Sequence, residues 1–306
     1  MGMIKKKVLS VIAAVLFLMG IATLLYPQVN QYYFDLETKQ LISGFSGRME
    51  EIAESNENNE NNNYNGWRWL KELIAEYNQE LYESGQDALV DAFSYQQVGF
   101  SLKQFGFNEE MVGYITIPRM GVALPIYLGA NTDNLSKGAA QLTETSLPVG
   151  GVNTNTVIAG HRGYRETAMF RDIEDLEIGD SVIITNFCET LYYRVAEIKV
   201  INPDDIGQIL IQEGRDLVTL ITCHPYSHNY QRYVVCCERT TETDHDVKAD
   251  KRLLRVFKSF LRSGTLSASQ RQILMERLLP FTSLIILLIA AILILFGKKR
   301  RKKGSS

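Results

Sequence analysis

Only four cysteines occur in the 306 residues, Cys188, Cys223, Cys236 and Cys237, and no two of them stand in a CxxC spacing. A disulfide framework is therefore unsupported, and Cys236 and Cys237, adjacent within an apolar run, would point to opposite faces of a strand. Histidine is just as scarce, at four residues. A zinc site on Cys223, His224 and His228 would lack a nearby carboxylate or second cysteine and so the usual ligand pattern. No metal is expected. No internal repeat of useful length is visible, which sets aside solenoid architectures. Acidic residues are missing from both ends of the chain, and charge of either sign is missing from two long runs, residues 8–26 and 278–296.

Those two runs are the first things present. At about 1.5 Å of rise per residue each can cross a hydrocarbon layer of roughly 30 Å as a helix. Lys5, Lys6 and Lys7 precede the first, and GKKRRKKG follows the second. Basic flanks stay on the cytoplasmic side, so the expected topology is two spans in the cell membrane, both termini cytoplasmic and the middle extracellular. The lysine-rich start also fits a cleaved signal peptide. The length of its apolar run and the lack of a small-x-small site near residues 25–29 favour an uncleaved anchor. A buried core helix is a poor account of the second run, because six cationic residues follow it at once.

Setting aside three lysines before the first run and six cationic residues after the second leaves 23 Lys and Arg against 35 Asp and Glu, a formal net charge of −12. Such acidity argues against a nucleic-acid partner. About 250 residues lie between the runs, enough for one substantial globular domain and an accessory region.

Residues 32–54 carry spaced apolar side chains that suit a helical stalk, and ENNENNNYN at 57–65 reads as a flexible connector. From Trp67 to Tyr82 apolar residues recur at spacings of three and four, predicting a helix. Between Glu83 and Glu110 the periodicity fades. After Met111 come short Val-, Ile-, Thr- and Tyr-rich runs: VGYITIP, VALPIYL, TNTVIAG, GDSVIITNF, TLYYRVAEIKVI, RDLVTLITC and RYVVCCER. Connections too short for regular crossover helices predict a mostly β fold, a closed or nearly closed barrel. Helical turns are expected near Asn131–Lys137 and Glu166–Leu176. The resulting division is an anchor (1–30), a helical accessory region (31–110), a barrel (111–245), a linker helix (246–277) and a second span with a basic tail (278–306).

Cys223 ends DLVTLITC, and after an eight-residue connection RYVVCC begins another strand. An antiparallel pair with that connection sets Cys223 and Arg232 at one rim. A guanidinium there favours the thiolate and can donate to an oxyanion, although the local residues fit an inert buried thiol equally well. His161 follows an apolar strand between Gly160 and Gly163, where it suits either a general acid–base role or a rim hydrogen bond.

The stretch TLITCHPYSHNYQRYVV resembles the signature of the sortases, in which Thr-Leu-x-Thr-Cys is followed about nine residues later by an arginine. NTVIAGHRG is similar to the family's histidine segment, and AMFRDIEDLEIGDSVII, INPDDIGQILIQEGRDLVTLITC, GYITIPRMGVALPIYLG and TSLPVGG follow the family's course, so the resemblance covers residues 111–240. It implies a sortase-type closed barrel of seven to eight strands with short helices, and a cysteine transpeptidase with Cys223 as nucleophile, His161 as acid–base group and Arg232 as the residue holding substrate or oxyanion. Thr222 is implied as a supporting residue with a hydrogen bond near the thiol. No cofactor is implied.

The implied partners are surface proteins bearing LPxTG-like sorting signals and an amine acceptor. The second apolar run resembles the class C, pilin-polymerising branch, where the acceptor is a pilin lysine. Anchoring to the peptidoglycan cross-bridge and a non-enzymatic membrane scaffold are the alternatives. Class C members often carry an Asp-Pro-aromatic lid, for which the nearest match is Asp91, Ala92 and Phe93. Residues 83–110 are thus read either as a lid or as a segment packed on the barrel. A papain-like hydrolase is disfavoured, since it would place Cys ahead of His and on a helix.

Overall fold

The computed structural model describes residues 2–57, 68–95, 103, 110–165, 167–241 and 266–303. The chain divides into two compact units, Met1–Tyr32 with Val256–Ser306, and Tyr33–Arg255. The first is helical. It holds the start of α1 (Gly2–Glu57) and α4 (Ala268–Lys303), which are continuous through residues 8–26 and 278–296. Among the described residues, no helix is long and apolar enough to cross a membrane. The side chains of residues 2–13, 16, 52–57, 284, 287, 288 and 290–303 lie outside that set. The connector at 58–65 and most of the linker at 246–277 also lie outside it, while helix is present from Ala268.

The second unit is built on eight strands: β1 (Met111–Ile117), β2 (Val122–Leu128), β3 (Ala139–Gln141), β4 (Thr154–Ala159), β5 (Ser181–Asn186), β6 (Thr190–Ile201), β7 (Asp216–His224) and β8 (Gln231–Arg239). They close in the order β1-β2-β3-β4-β7-β8-β6-β5. Pairing is antiparallel except at β2–β3 and β4–β7. Closure leaves no sheet edge unpaired. β3 escapes sequence detection because it is three residues long, too short to show a period, and pairs only with Ile126–Leu128 of β2 and with Ile158 and Ala159 of β4.

Strand burial shows where the barrel is covered. β5 alternates between buried and half-buried residues, one face packed inside and the other partly exposed. β4 is buried throughout and β7 from Leu217 to Thr222, because a second apolar layer lies outside them. The interior layer includes Ile115, Ile126, Ile184, Val218, Leu220 and Val235. The outer layer includes Leu89, Ala92, Leu135, Val157, Ile221 and Val234. Strands buried on both faces read as unbroken apolar runs, as TVIA and LVTLI do.

Helix α2 (Arg68–Ser84) buries Leu70, Ile74, Asn78 and Leu81. Asn78 bonds Leu147 twice, its side-chain amide donating to the carbonyl at 3.2 Å and its oxygen accepting from the N–H at 2.8 Å. In α1, Phe45 is fully buried and meets the Tyr114 ring edge-on at 6.4 Å. The short helix α3 (Thr132–Lys137) is capped by Asn131, whose side chain accepts from the Asn134 N–H at 2.9 Å. The helical turn expected over Glu166–Leu176 shrinks to one 3-10 turn at Ile173–Asp175. Its chain is diverted by a Tyr164–Thr167 bridge and by the Phe170 N–H, which donates to the His161 carbonyl at 2.9 Å.

All four cysteines are free thiols. Cys236 packs against the Thr219 hydroxyl at 3.3 Å, whereas Cys237 belongs to the interior layer, so the adjacent pair does face opposite sides of β8.

Candidate active site

β7 and β8 are antiparallel neighbours, and their register makes Cys223 and Arg232 direct partners. The two side chains therefore emerge on the same face at the same rim. Parallel pairing of β4 with β7 sets Ala159 beside Ile221, and the Gly160 N–H donates to the Ile221 carbonyl at 3.2 Å. Extending that register by two residues carries His161 alongside Cys223. A 62-residue separation in sequence is thus removed by strand pairing.

Gly160 is required at this exit for a steric reason. A Cβ there would lie 2.7 Å from the Phe170 ring, well inside contact distance. The His161 ring stacks on Tyr164 at 4.7 Å and 9°, and lies 6.1 Å from Phe93 and 6.2 Å from Tyr95.

Arg232 is only 9 % exposed in its side chain and is gripped by Asp91. Its Nε donates to one Asp91 oxygen at 2.7 Å and its Nη2 to the other at 2.8 Å, while Nη1 donates to the carbonyls of Asn229 and Gln231 at 3.0 and 2.8 Å. The guanidinium also lies over the Phe93 ring at 5.2 Å. Phe93 and Cys223 both pack in the outer apolar layer. Asp91 and Phe93 therefore cover the rim.

Electrostatics at the rim oppose ionisation. Burial pushes the Cys223 thiol up to about 11; Arg232 and Arg162 act downward and Asp91 upward. Burial also lowers the proton affinity of His161. Near neutral pH the covered site holds a thiol and a neutral imidazole, not an ion pair.

Thr222 departs from expectation. Successive strand residues face opposite sides, so its fully buried hydroxyl is turned away from the Cys223 thiol and donates to the Gly160 carbonyl at 2.7 Å. It braces the turn leading to His161 and makes no hydrogen bond at the thiol.

His224 likewise faces away from the rim, near the Tyr233 ring at 5.5 Å and next to a buried ion pair between Arg162 and Glu174. His228 is exposed in the intervening loop, its Nδ1 3.1 Å from the Tyr226 carbonyl. Sequence reasoning misses Arg162, Glu174, Tyr164 and Tyr95. Arg162 is visible as the residue after His161, but nothing local shows that an acid 12 residues on is its partner.

The sortase domain family model matches residues 115–240. Sortase A of Bacillus anthracis is 31% identical over 128 residues, covering 42% of this chain and 59% of its own length. The chain spans less than two thirds of the curated relatives it matches. Among solved structures, Sortase C1 of GBS Pilus Island 1 is 31% identical with a TM-score of 0.57, covering 66% of this chain and 98% of that one. Streptococcus pneumoniae Sortase C is 29% identical with a TM-score of 0.58, covering 67% and 98%. With the barrel and rim described above, these likenesses show that the chain belongs to the sortase family, and its structural neighbours are sortases of the C type.

Proposed function

We propose that this protein is a cysteine transpeptidase that cuts an LPxTG-like sorting signal between Thr and Gly and passes the acyl group to an amine, a pilin lysine in covalent pilus assembly. The observation that carries this reading is the registered pairing of Cys223 with Arg232, with His161 brought beside them from β4. The acceptor is supported by the solved neighbours, one a sortase C1 of a pilus island and the other a sortase C described for its pilin substrate specificity.

In the reaction, the neutral His161 takes the Cys223 thiol proton as the sulfur attacks the Thr carbonyl carbon, and the oxyanion is held by Arg232. The C–N bond breaks, and His161 gives its proton to the departing glycine amine, leaving a thioester. The acceptor amine attacks the thioester carbonyl, His161 takes its proton, and the C–S bond breaks as His161 passes that proton to the Cys223 sulfur, returning the thiol and the neutral imidazole. No cofactor enters.

Asp91 and Phe93 act as a lid. Arg232 cannot receive a substrate backbone while its Nε and Nη2 are on Asp91 and its Nη1 is on the Asn229 and Gln231 carbonyls. Hydrogen bonds to charged groups contribute about 1.5–3 kcal/mol, and about 1.4 kcal/mol is tenfold in a population, so this pair keeps the open form at roughly a tenth or less.

The apolar runs with basic flanks support a membrane tether with the barrel outside the cell. The test is mass spectrometry of full-length protein in detergent with a Leu-Pro-Glu-Thr-Gly peptide and either a lysine-bearing peptide or triglycine as acceptor. A thioester on Cys223 and product joined to the lysine amine are expected, both lost in Cys223→Ala. Transfer to triglycine alone would replace pilus assembly with cell-wall anchoring, and absence of any adduct would remove the transpeptidase reading.

A further inference from the structure

Beneath the rim, on the opposite face of β7, lies a charged group that the transfer chemistry does not use. Arg162, the residue after His161, and Glu174 form an ion pair with side chains only 2% and 6% exposed. One terminal guanidinium nitrogen of Arg162 reaches Glu174; the other terminal nitrogen donates to the Cys223 carbonyl at 3.3 Å and to His224 Nδ1 at 2.8 Å. The Tyr233 ring lies 5.8 Å away.

We propose that Arg162 is a positioning residue: anchored by Glu174, it ties the turn that carries His161 to the backbone of Cys223 and so sets the acid–base group against the nucleophile. The proposal rests on the transpeptidase reading and assigns it a residue outside the reacting set.

The geometry is specific to that task. His161 is flanked on both sides by bonds to β7. Before it, Gly160 bonds Ile221 through its N–H and Thr222 through its carbonyl. After it, Arg162 bonds the Cys223 carbonyl. The described contacts of the His161 ring are to other rings, Tyr164, Phe93 and Tyr95. Two of those belong to the lid and leave when it opens. What then remains to hold the imidazole is Tyr164 and the backbone turn, and Arg162 is the tie on the far side of that turn. A displacement of about 1 Å in such a site can cost 10²-fold in rate.

Burying a guanidinium is costly unless it is paired and hydrogen-bonded; both terminal nitrogens of Arg162 are used, while its buried Nε has no hydrogen-bond partner. Glu174 offsets the charge, and the fork geometry lets one group reach carboxylate, carbonyl and imidazole together. Lysine, a point charge, cannot bridge them.

The experiment uses the full chain in detergent with Asp91→Ala throughout, so that the rim is open, and compares Arg162→Lys with the parent. Two readouts are taken: kcat and KM for the Leu-Pro-Glu-Thr-Gly peptide, and amide hydrogen exchange at Gly160 and Phe170 against amides of β1 and β5. Expected in Arg162→Lys are a kcat at least tenfold lower, KM within twofold, and at least tenfold faster exchange at the two turn amides, with β1 and β5 unchanged. A kcat within twofold of the parent overturns the proposal, as does a uniform rise in exchange, which would mean a merely structural role. Should Arg162→Lys fail to fold, the double variant Arg162→Met with Glu174→Leu removes both charges and is held to the same criteria. A parent that forms no thioester would overturn the transpeptidase reading, and the tie itself would then be decided by the exchange rates alone.

Discussion

At the scale of single residues, the chemistry of the rim is governed by what surrounds the Cys223 sulfur. Burial dominates and raises its proton affinity, and the carboxylate of Asp91 offsets part of what Arg232 would contribute. The sign of the effect of opening follows directly. Removing Asp91 takes a negative charge from the thiolate, admits water, and leaves Arg232 in place, and all three favour ionisation. In Asp91→Ala the midpoint of thiol ionisation is expected to fall from about 11 toward the free-cysteine value of about 8.5. Iodoacetamide labelling of the Cys223 peptide across pH 6–11 checks this, with a rate at neutral pH raised about tenfold. An unchanged or higher midpoint would show that Asp91 does not guard the thiol. The labelled peptide must be identified, because Cys188 is also exposed.

At the scale of elements, the proposed lid is a short turn fastened at its root. Gln86 donates from its side-chain amide to the Glu144 carbonyl at 2.7 Å and accepts from the Ile211 N–H at 2.7 Å. Leu89 and Ala92 are buried in the outer layer. The Ser94 N–H then donates to the Asp91 carbonyl at 3.1 Å, closing a four-residue turn with Ala92 in its second position. Proline is favoured at that position, so the turn forms with alanine but is less constrained when unfolded. Ala92→Pro is expected to stabilise the closed turn by about 0.4–1 kcal/mol and to slow Cys223 labelling two- to fivefold. Faster labelling would mean that the ring is not accommodated among its buried neighbours. Asp91 and Phe93 are legible in the sequence only through a family pattern, since nothing in their own spacing announces a partner 141 residues away.

At the scale of the whole molecule, the two terminal helices carry the apolar runs and the barrel carries the chemistry. If the runs are anchors, the full chain stays in the membrane pellet after alkaline carbonate extraction, and a chain lacking residues 8–26 and 278–296 is released. Release of the full chain would sink the tether. The seven strand runs are readable because alternation and unbroken β-branched stretches are local signals, and each lies on a strand of the barrel. β3 and the collapse of the expected helical turn to Ile173–Asp175 are not, since both depend on what packs against them.

The sequence alone determined the strand-rich class and a helix read from Trp67 to Tyr82, found at Arg68–Ser84, because strand period and helical spacing are properties of neighbours along the chain; Cys223, His161 and Arg232 are singled out only by motifs that resemble a family's, their immediate neighbours leaving an inert thiol and a rim hydrogen bond open. Tertiary structure alone decided closure into eight strands, the side of β7 that each residue faces, and therefore that Thr222 braces Gly160 and makes no hydrogen bond at the thiol. It also decided that Arg162, Glu174 and His224 form one group beneath the rim. Register and pairing between distant strands carry that information, and neither is written in any one segment.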